Sequence, residues 1–294
     1  MSHLPDSSLP GIFRDADAVS VAGQRVTLTW VRLRLLGAVI AAVGGALTWR
    51  LGKVDLWGCV ALVGFAVALT SEFSLAIRRP EREWQGARAV AESIKTLAWR
   101  YAVCGAPFAA GGEDVLSQKL LKQRVSDVHG NSQVRIVPKY RPDVVTDAMA
   151  DVRSMSFTER RAVYLEERVD RQRRWYAAKA RACERQAGRW RIFLIVGEII
   201  AILLASGRAF GIWNIDLSGV LAAIVAGAAA WLAVRQYSAL ASSYSIAAGE
   251  LGLIVEMLAS VDEPEWAETV SDAEEAISRE HTMWLASRVS VIDA

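Results

Sequence analysis

Residues that could do covalent chemistry are sparse: three histidines and three cysteines in 294 positions. His3, His129 and His281 stand far apart, and Cys59, Cys104 and Cys183 show no CxxC spacing. Neither a metal-ligand set nor a disulfide scaffold is therefore expected. A G-x-x-x-x-G-K-[ST] phosphate loop and a G-x-S-x-G elbow are both missing. Glu280 and His281 adjoin and could form a general acid–base pair, but no nucleophile stands beside them. Their structural alternative is a helix-surface pair that holds the tail against Trp-bearing neighbours. The expectation is a protein that is not an enzyme and takes no metal or other cofactor. A formal charge of +2 gives no nucleic-acid signal.

The more informative charges are those set in apolar surroundings, where ionisable groups face a bundle interior or water. Arg34 stands near the start of one apolar block and Glu72 near the end of the next. Both should lie at similar depth, which predicts an Arg34–Glu72 ion pair. Glu198 interrupts a third block. It either pairs with Arg235 or lines a pore formed when copies associate. Asp216 falls at an outer interface, where hydration accounts for it.

Four blocks contain most of the hydrophobicity: Leu35 to Trp49, Leu56 to Ser71, Ile192 to Gly207 and Leu217 to Val234. A spanning helix needs about 20 predominantly apolar residues, with a lower limit near 17. The uncharged cores fall slightly short, but Trp30, Trp49, Trp57, Trp190, Trp213 and Trp231 can extend them as interfacial anchors. The blocks come as two close pairs, which predicts two hairpins. A buried hairpin in a soluble helical bundle is the alternative.

Charge orients the pairs. The links within each pair carry few cations: Arg50 and Lys53 in one, Arg208 in the other. Arg25, Arg32, Arg34, Arg78, Arg79, Arg82, Arg185, Arg189, Arg191 and Arg235 flank the opposite ends. The positive-inside rule then places both termini and the long middle segment in the cytoplasm of a multi-pass inner-membrane protein. The first 25 residues include Asp6, Asp15 and Asp17 and no apolar h-region, so no cleavable signal peptide is expected.

The two halves look alike. Pairing Ala91-Glu92 with Gly249-Glu250, an offset of 158, superposes their exit helices. Gly37, Ala41 and Gly45 form a small-xxx-small ridge in the first block, and Gly219, Ala223 and Gly227 form one in the fourth. Such ridges let helix backbones approach closely in lipid; chance in Gly/Ala-rich segments is the alternative. The fold expected is an all-α membrane protein of two repeated transmembrane hairpins with long cytoplasmic helical stalks. The N-terminal unit takes residues 1–145, with spans at about 33–50 and 55–77. The C-terminal unit takes 146–294, with spans at about 191–208 and 212–235.

The stalks are read from 3.5-residue spacing. One seam runs Trp84, Ala87, Ala91, Ile94, Ala98, Tyr101. Another runs Tyr237, Ala241, Tyr244, Ala248, Leu251, Val255, Leu258. The longest passes from Ala162 through Leu165, Val169, Gln172, Tyr176, Lys179, Cys183 and Gln186 to Trp190. Its helix opens on a Ser156–Glu159 capping box, and its soluble part would be about 50 Å long. Between Glu159 and Arg191 the net charge is +6, and from Asp262 to Ala294 it is −7. Either the acidic tail folds back on the basic stalk or both are solvated faces. Basic residues nearest the membrane should meet anionic headgroups. Gly105 to Gly112 and His129 to Pro142 read as loops around a short helix, Glu113 to Val128.

The closing segment, Ala273-Glu274-Glu275-Ala276-Ile277-Ser278-Arg279-Glu280-His281-Thr282-Met283-Trp284-Leu285-Ala286-Ser287-Arg288, resembles the C-terminal signature of the SLATT families. These are two-transmembrane effector domains associated with SMODS and SLOG proteins. Trp84 to Tyr101, with Arg88, Ala91-Glu92-Ser93, Lys95 and Trp99-Arg100-Tyr101, resembles the exit helix of a related member. Arg168, Gln172, Trp175-Tyr176 and Lys179 match the family's pre-hairpin helix. The resemblance covers both halves, as a tandem SLATT protein would.

The resemblance implies a bacterial membrane effector of nucleotide-dependent conflict systems, proposed to oligomerise and to form a pore or perturb the membrane in antiviral defence. It brings no catalytic residues. The expected partners are the lipid bilayer, further copies of the chain and a separate nucleotide-signalling or sensor protein, with no nucleic acid. The competing expectation is a non-conducting scaffold or sensor that binds a signalling partner through its cytoplasmic helices.

Overall fold

A computed structural model describes residues 3–132, 134–140, 143–212 and 217–292. The chain is almost wholly helical: α1 (Gly11–Ala46), α2 (Leu56–Arg78), α3 (Pro80–Ala102), α4 (Asp114–Gly130) and α5 (Asp147–Ser154) come first. Then follow α6 (Phe157–Val163), a π-helical stretch (Tyr164–Asp170), α7 (Arg171–Ala209), α8 (Leu217–Arg235), α9 (Tyr237–Ser260) and α10 (Glu263–Ile292). Among the described residues four continuous helical segments are long and apolar enough to cross a membrane: Gly11–Ala46, Leu56–Arg78, Phe157–Ala209 and Leu217–Ser260. Trp213 and Asp216 lie outside the described residues.

Two compact units emerge, and each draws segments from both halves of the chain. The first comprises Met1–Gly23, Glu81–Lys179 and Ser243–Ala294. The second comprises Gln24–Pro80 and Ala180–Ser242, and it contains the apolar blocks.

In the second unit the first apolar helix stops at Ala46, short of the expected end at 50. The cause is the turn that follows. Arg50–Leu51 pairs antiparallel with Val54–Asp55, and Gly52 supplies the left-handed residue (φ 65°) for the two-residue connection. Asp55 then caps α2, accepting from the backbone N–H groups of Trp57 at 3.1 Å and Gly58 at 3.4 Å. It also accepts from the Trp49 N–H at 3.2 Å, which ties the helix start to the residue just before the turn. Those amides, Trp49's first, hold the Asp55 carboxyl below the ordinary aspartate range. The helix of the fourth span, expected from 212, is described from Leu217, and residues 213–216 lie outside the described residues.

The first unit has a hydrophobic core, not the extended stalks of the sequence reading. Ile94, Ala98 and Tyr101 of α3 and Leu251 and Leu258 of α9 join Val169 and Tyr176, so the seam spacing did mark buried faces. What converts seams into a globular core is material with no such spacing. Leu4, Leu9 and Phe13 before and within α1 enter it, as do Leu121 and Val125 of α4 and Met149 and Val152 of α5. The Ser156–Glu159 capping box is formed, and the helix it opens continues through the π-helical stretch to Ala209.

The internal repeat is visible in the core, at an offset of 157 in place of 158. Ala87, Val90, Ala91, Ile94, Ala98 and Tyr101 of α3 correspond to Tyr244, Ala247, Ala248, Leu251, Val255 and Leu258 of α9. The same shift relates Arg79 (φ 41°) to Gln236 (φ 49°), the left-handed residues that separate α2 from α3 and α8 from α9. Side chains rarely adopt that conformation, so its recurrence at matching positions is a structural signature of duplication.

Candidate functional site

In the apolar unit, α1 and α2 cross at backbone contact. A Cβ on Gly37 would sit 2.7 Å from the Gly64 carbonyl oxygen, and one on Gly64 would sit 2.5 Å from the Ala41 nitrogen. The ridge continues through Gly44, whose Cβ would lie 2.5 Å from the Ala61 nitrogen, and not through Gly45, which faces open space. Helix geometry explains the correction. Residues seven apart nearly superpose along an α-helix at about 100° per residue, whereas eight apart they diverge by roughly 80°. In the second hairpin, a Cβ on Gly227 would lie 2.6 Å from Val39 Cγ2 of α1, and Gly197 of α7 meets Val225 of α8. Ala223 is partly buried and Gly219 exposed.

The structure brings Arg34 and Glu72 together across this crossing, Nη1 donating to Oε2 at 2.9 Å. Glu198 is placed differently. It is exposed on the apolar part of α7 and has no ion-pair partner among the described residues. Arg235, its alternative partner, instead donates from Nε to the Tyr237 hydroxyl at 3.1 Å and lies over the Tyr237 and Trp231 rings.

In the other unit the chemistry converges on Glu274. Arg168 donates to both its oxygens, Nε to Oε1 at 2.8 Å and Nη2 to Oε2 at 2.7 Å. The Tyr164 hydroxyl donates to Oε1 at 3.0 Å and Thr96 Oγ1 to Oε2 at 3.0 Å. Burial opposes the positive charge on Arg168, but the Glu274 carboxylate outweighs it and raises the arginine pKa. Burial, then the Glu274 charge, push the Tyr164 phenol well above the usual tyrosine range. With its acceptor sites occupied, Glu274 is a clamp that ties α10 to α3 and to the π-helical stretch. It has no substrate-facing side.

Of the family-signature residues, Arg168 belongs to the clamp and Trp99 packs on it. Trp99 is buried beside Tyr164, ring centroids 6.0 Å apart, and Trp84 is buried in the same unit. Glu92 accepts from Arg88 at 2.5 Å. Trp175 and Tyr176 pack with Tyr244 of α9 at 5.7 Å each, and Lys179 Nζ sits over the Trp175 ring. Glu280, His281 and Trp284 fall on α10, with side chains outside those described. Among the described residues two ion pairs join the acidic tail to the basic segment, Arg168–Glu274 and the looser Arg160–Glu263 pair at 3.9 Å, while Glu265, Glu268 and Glu275 are exposed.

Two further constellations carried no sequence signal. Glu167 accepts from the backbone N–H groups of His3 at 2.7 Å and Leu4 at 3.0 Å, fastening the start of the chain. Arg153, nearly buried, donates to the Tyr101 and Phe108 carbonyls at 2.9 Å, to Asp114 at 3.0 Å and to Cys104 Sγ at 3.3 Å. Burial pushes the Cys104 thiol above its usual range, against the pull of Arg153. Among the described residues no group of three or more His, Cys, Asp or Glu is placed to hold a metal ion.

Residues 10–161 match the SMODS and SLOG-associating 2TM effector domain 3 family, and residues 164–284 match the SMODS and SLOG-associating 2TM effector domain 1 family. The second match begins at the first residue of the π-helical stretch. No curated protein and no solved structure matches the chain.

Proposed function

Because the chain belongs to the SLATT family, with two of its two-transmembrane effector domains in tandem, we propose that it is a bacterial membrane effector of a nucleotide-dependent defence system. In this reading it lies in the inner membrane with both termini in the cytoplasm. It acts without catalysis or cofactor. A separate nucleotide-signalling or sensor protein triggers it, copies associate, and the membrane becomes leaky.

Glu198 carries the reading. A carboxylate on an otherwise apolar helix surface costs a few kcal/mol against lipid, about 2.5–3.5 by insertion scales. It is exposed within one copy, and association of copies would give it a polar interior to face. The Arg34–Glu72 pair, by contrast, is internally compensated and holds the first hairpin together. Triggered expression should depolarise cells, and Glu198→Ala should change the extent of leak while leaving protein levels unaltered. Unchanged membrane potential on expression and triggering would remove the pore reading.

The non-conducting scaffold is the second reading, favoured by the exposed acids Glu265, Glu268 and Glu275 on α10. It requires that charge reversal at these three positions abolish partner binding while purified protein in liposomes passes no ions.

A further inference from the structure

At one end of the apolar unit two arginines share an aromatic ring. The guanidinium carbon of Arg32, on α1, lies 5.0 Å from the ring centroid of Trp231 on α8. That of Arg235 lies 5.7 Å from the same ring and 5.1 Å from the Tyr237 ring. Helix α8 meets α1 through Gly227 and Val39, so the two cations come from different hairpins. Among the described residues neither has a carboxylate partner, and Arg32 makes no hydrogen bond. The stretches 24–46 and 217–242, which hold all four residues, contain no Asp or Glu. The first hairpin supplies its own counter-charge, Glu72 pairing with Arg34 at 2.9 Å. At the offset of 157 those positions become Ala229 and Arg191, so the second hairpin keeps the cation and lacks the anion. Aromatic rings attract guanidinium groups without cancelling their charge. The negative end of the α8 dipole supplies only about half a charge against two.

We infer that Arg32, Arg235 and Tyr237 form a binding site for a phosphate group. The inference goes beyond the effector reading and depends only on the apolar helices lying in a membrane. A phosphate offers several acceptor oxygens, and guanidinium forks match them with paired, charge-assisted hydrogen bonds. Arg32 brings a complete fork. Arg235 donates from Nε to the Tyr237 hydroxyl oxygen, which leaves its two Nη groups and the phenol proton for a ligand. Trp231 underlies both cations and restricts where they can swing. Arg32 is exposed and Arg235 half-buried, so the donors are within reach from outside. A phospholipid supplies the phosphate at a suitable depth. Arg235 closes the α8 span, and Trp and Tyr settle at headgroup level. An anionic headgroup suits the site best, because a zwitterionic one brings a further cation toward Arg32 and Arg235. A lipid held here would tie α1 of the first hairpin to α8 of the second. A free phosphate offers the same oxygens, and the experiment separates the two sources.

The test uses the full-length chain purified in mild detergent, with dioleoyl-phosphatidylglycerol, dioleoyl-phosphatidylcholine and inorganic phosphate as probes. Native mass spectrometry should show phosphatidylglycerol retained in preference to phosphatidylcholine, and its addition should raise the melting temperature. Arg32→Gln with Arg235→Gln should cut retention about tenfold or more, the scale of one lost charge-assisted bond, and abolish the thermal gain. Arg32→Lys keeps the charge and loses the fork, so its retention should fall in between. Arg25→Gln with Arg78→Gln removes the same charge from exposed positions flanking the first hairpin and should leave both readouts near wild type. Wild type that prefers neither lipid and ignores inorganic phosphate overturns the site. So does equal loss in the two double variants. If the two arginines only pack on Trp231, the site variant melts lower without lipid and keeps the phosphatidylglycerol gain, which also overturns it. A thermal gain from inorganic phosphate with no lipid retained, lost in the site variant, upholds the site and assigns it to a free phosphate. Membrane leak enters none of these readouts, so the site and the pore reading fail separately.

Discussion

The Arg168 guanidinium grips both oxygens of Glu274 at 2.8 and 2.7 Å, with the two side chains only 2% and 0% exposed. Desolvating two charges costs several kcal/mol each, which the bidentate geometry and the added Tyr164 and Thr96 donors offset. Removing one partner leaves the other charge stranded. Glu274→Ala should therefore destabilise the polar unit by about 3–5 kcal/mol. Arg168→Met with Glu274→Leu should recover much of that loss. Thermal unfolding in detergent would measure both, and an Ala variant as stable as wild type would contradict the clamp.

The α1–α2 crossing should be intolerant at one glycine and indifferent at its neighbour. A side chain on Gly64 meets backbone atoms of α1 that cannot rotate away, whereas Gly45 faces open space. Gly64→Val should cost about 1–3 kcal/mol or more by overpacking. Gly45→Val should leave the melting temperature near wild type.

These two examples show where the sequence was readable. The blocks of hydrophobicity, the capping box and the buried faces of α3 and α9 follow from local periodicity, which one segment displays alone. The Arg34–Glu72 contact followed from depth along two adjacent helices. Gly45 was misassigned for Gly44 because a four-residue pattern drifts around an α-helix. Glu274 draws its partners from positions 178, 110 and 106 residues away, so no local spacing announces them. Leu4 and Leu9 are isolated apolar residues in a polar stretch, and Ile12 and Phe13 form only a pair. Only the core they enter distinguishes them from ordinary surface residues.

Alkaline pH should weaken the polar unit. Burial raises the folded-state pKa of Cys104, Tyr101 and Tyr164 above their ordinary values of 9.0 for the thiol and 10.0 for the phenols. A group whose folded pKa is raised stabilises fully below its unfolded pKa, and that contribution is lost as pH climbs toward the folded value. Stability should therefore fall progressively above pH 9.0. Cys104→Ala should shift the onset toward the tyrosine range in melting curves taken across that interval.

Glu167 should hold the start of the chain in place. Its two oxygens accept separate backbone N–H groups, from His3 and Leu4. Gln at this position keeps one acceptor oxygen and adds a competing donor. Glu167→Gln should cost about 1–3 kcal/mol locally and accelerate amide exchange over residues 4–9. Exchange unchanged in that window would mean that Leu4 and Leu9 are held by packing alone.

The polar unit is assembled from three stretches of chain with an apolar hairpin between each pair. Its core cannot close while a hairpin is stranded, because the segments on either side must return to a common compartment to meet. Core closure thereby acts as an assembly checkpoint on insertion. A chain with one failed crossing keeps Ile94, Leu251 and Trp266 apart, exposes apolar surface and becomes a substrate for quality-control proteolysis. Such contacts, distant along the chain, also form slowly.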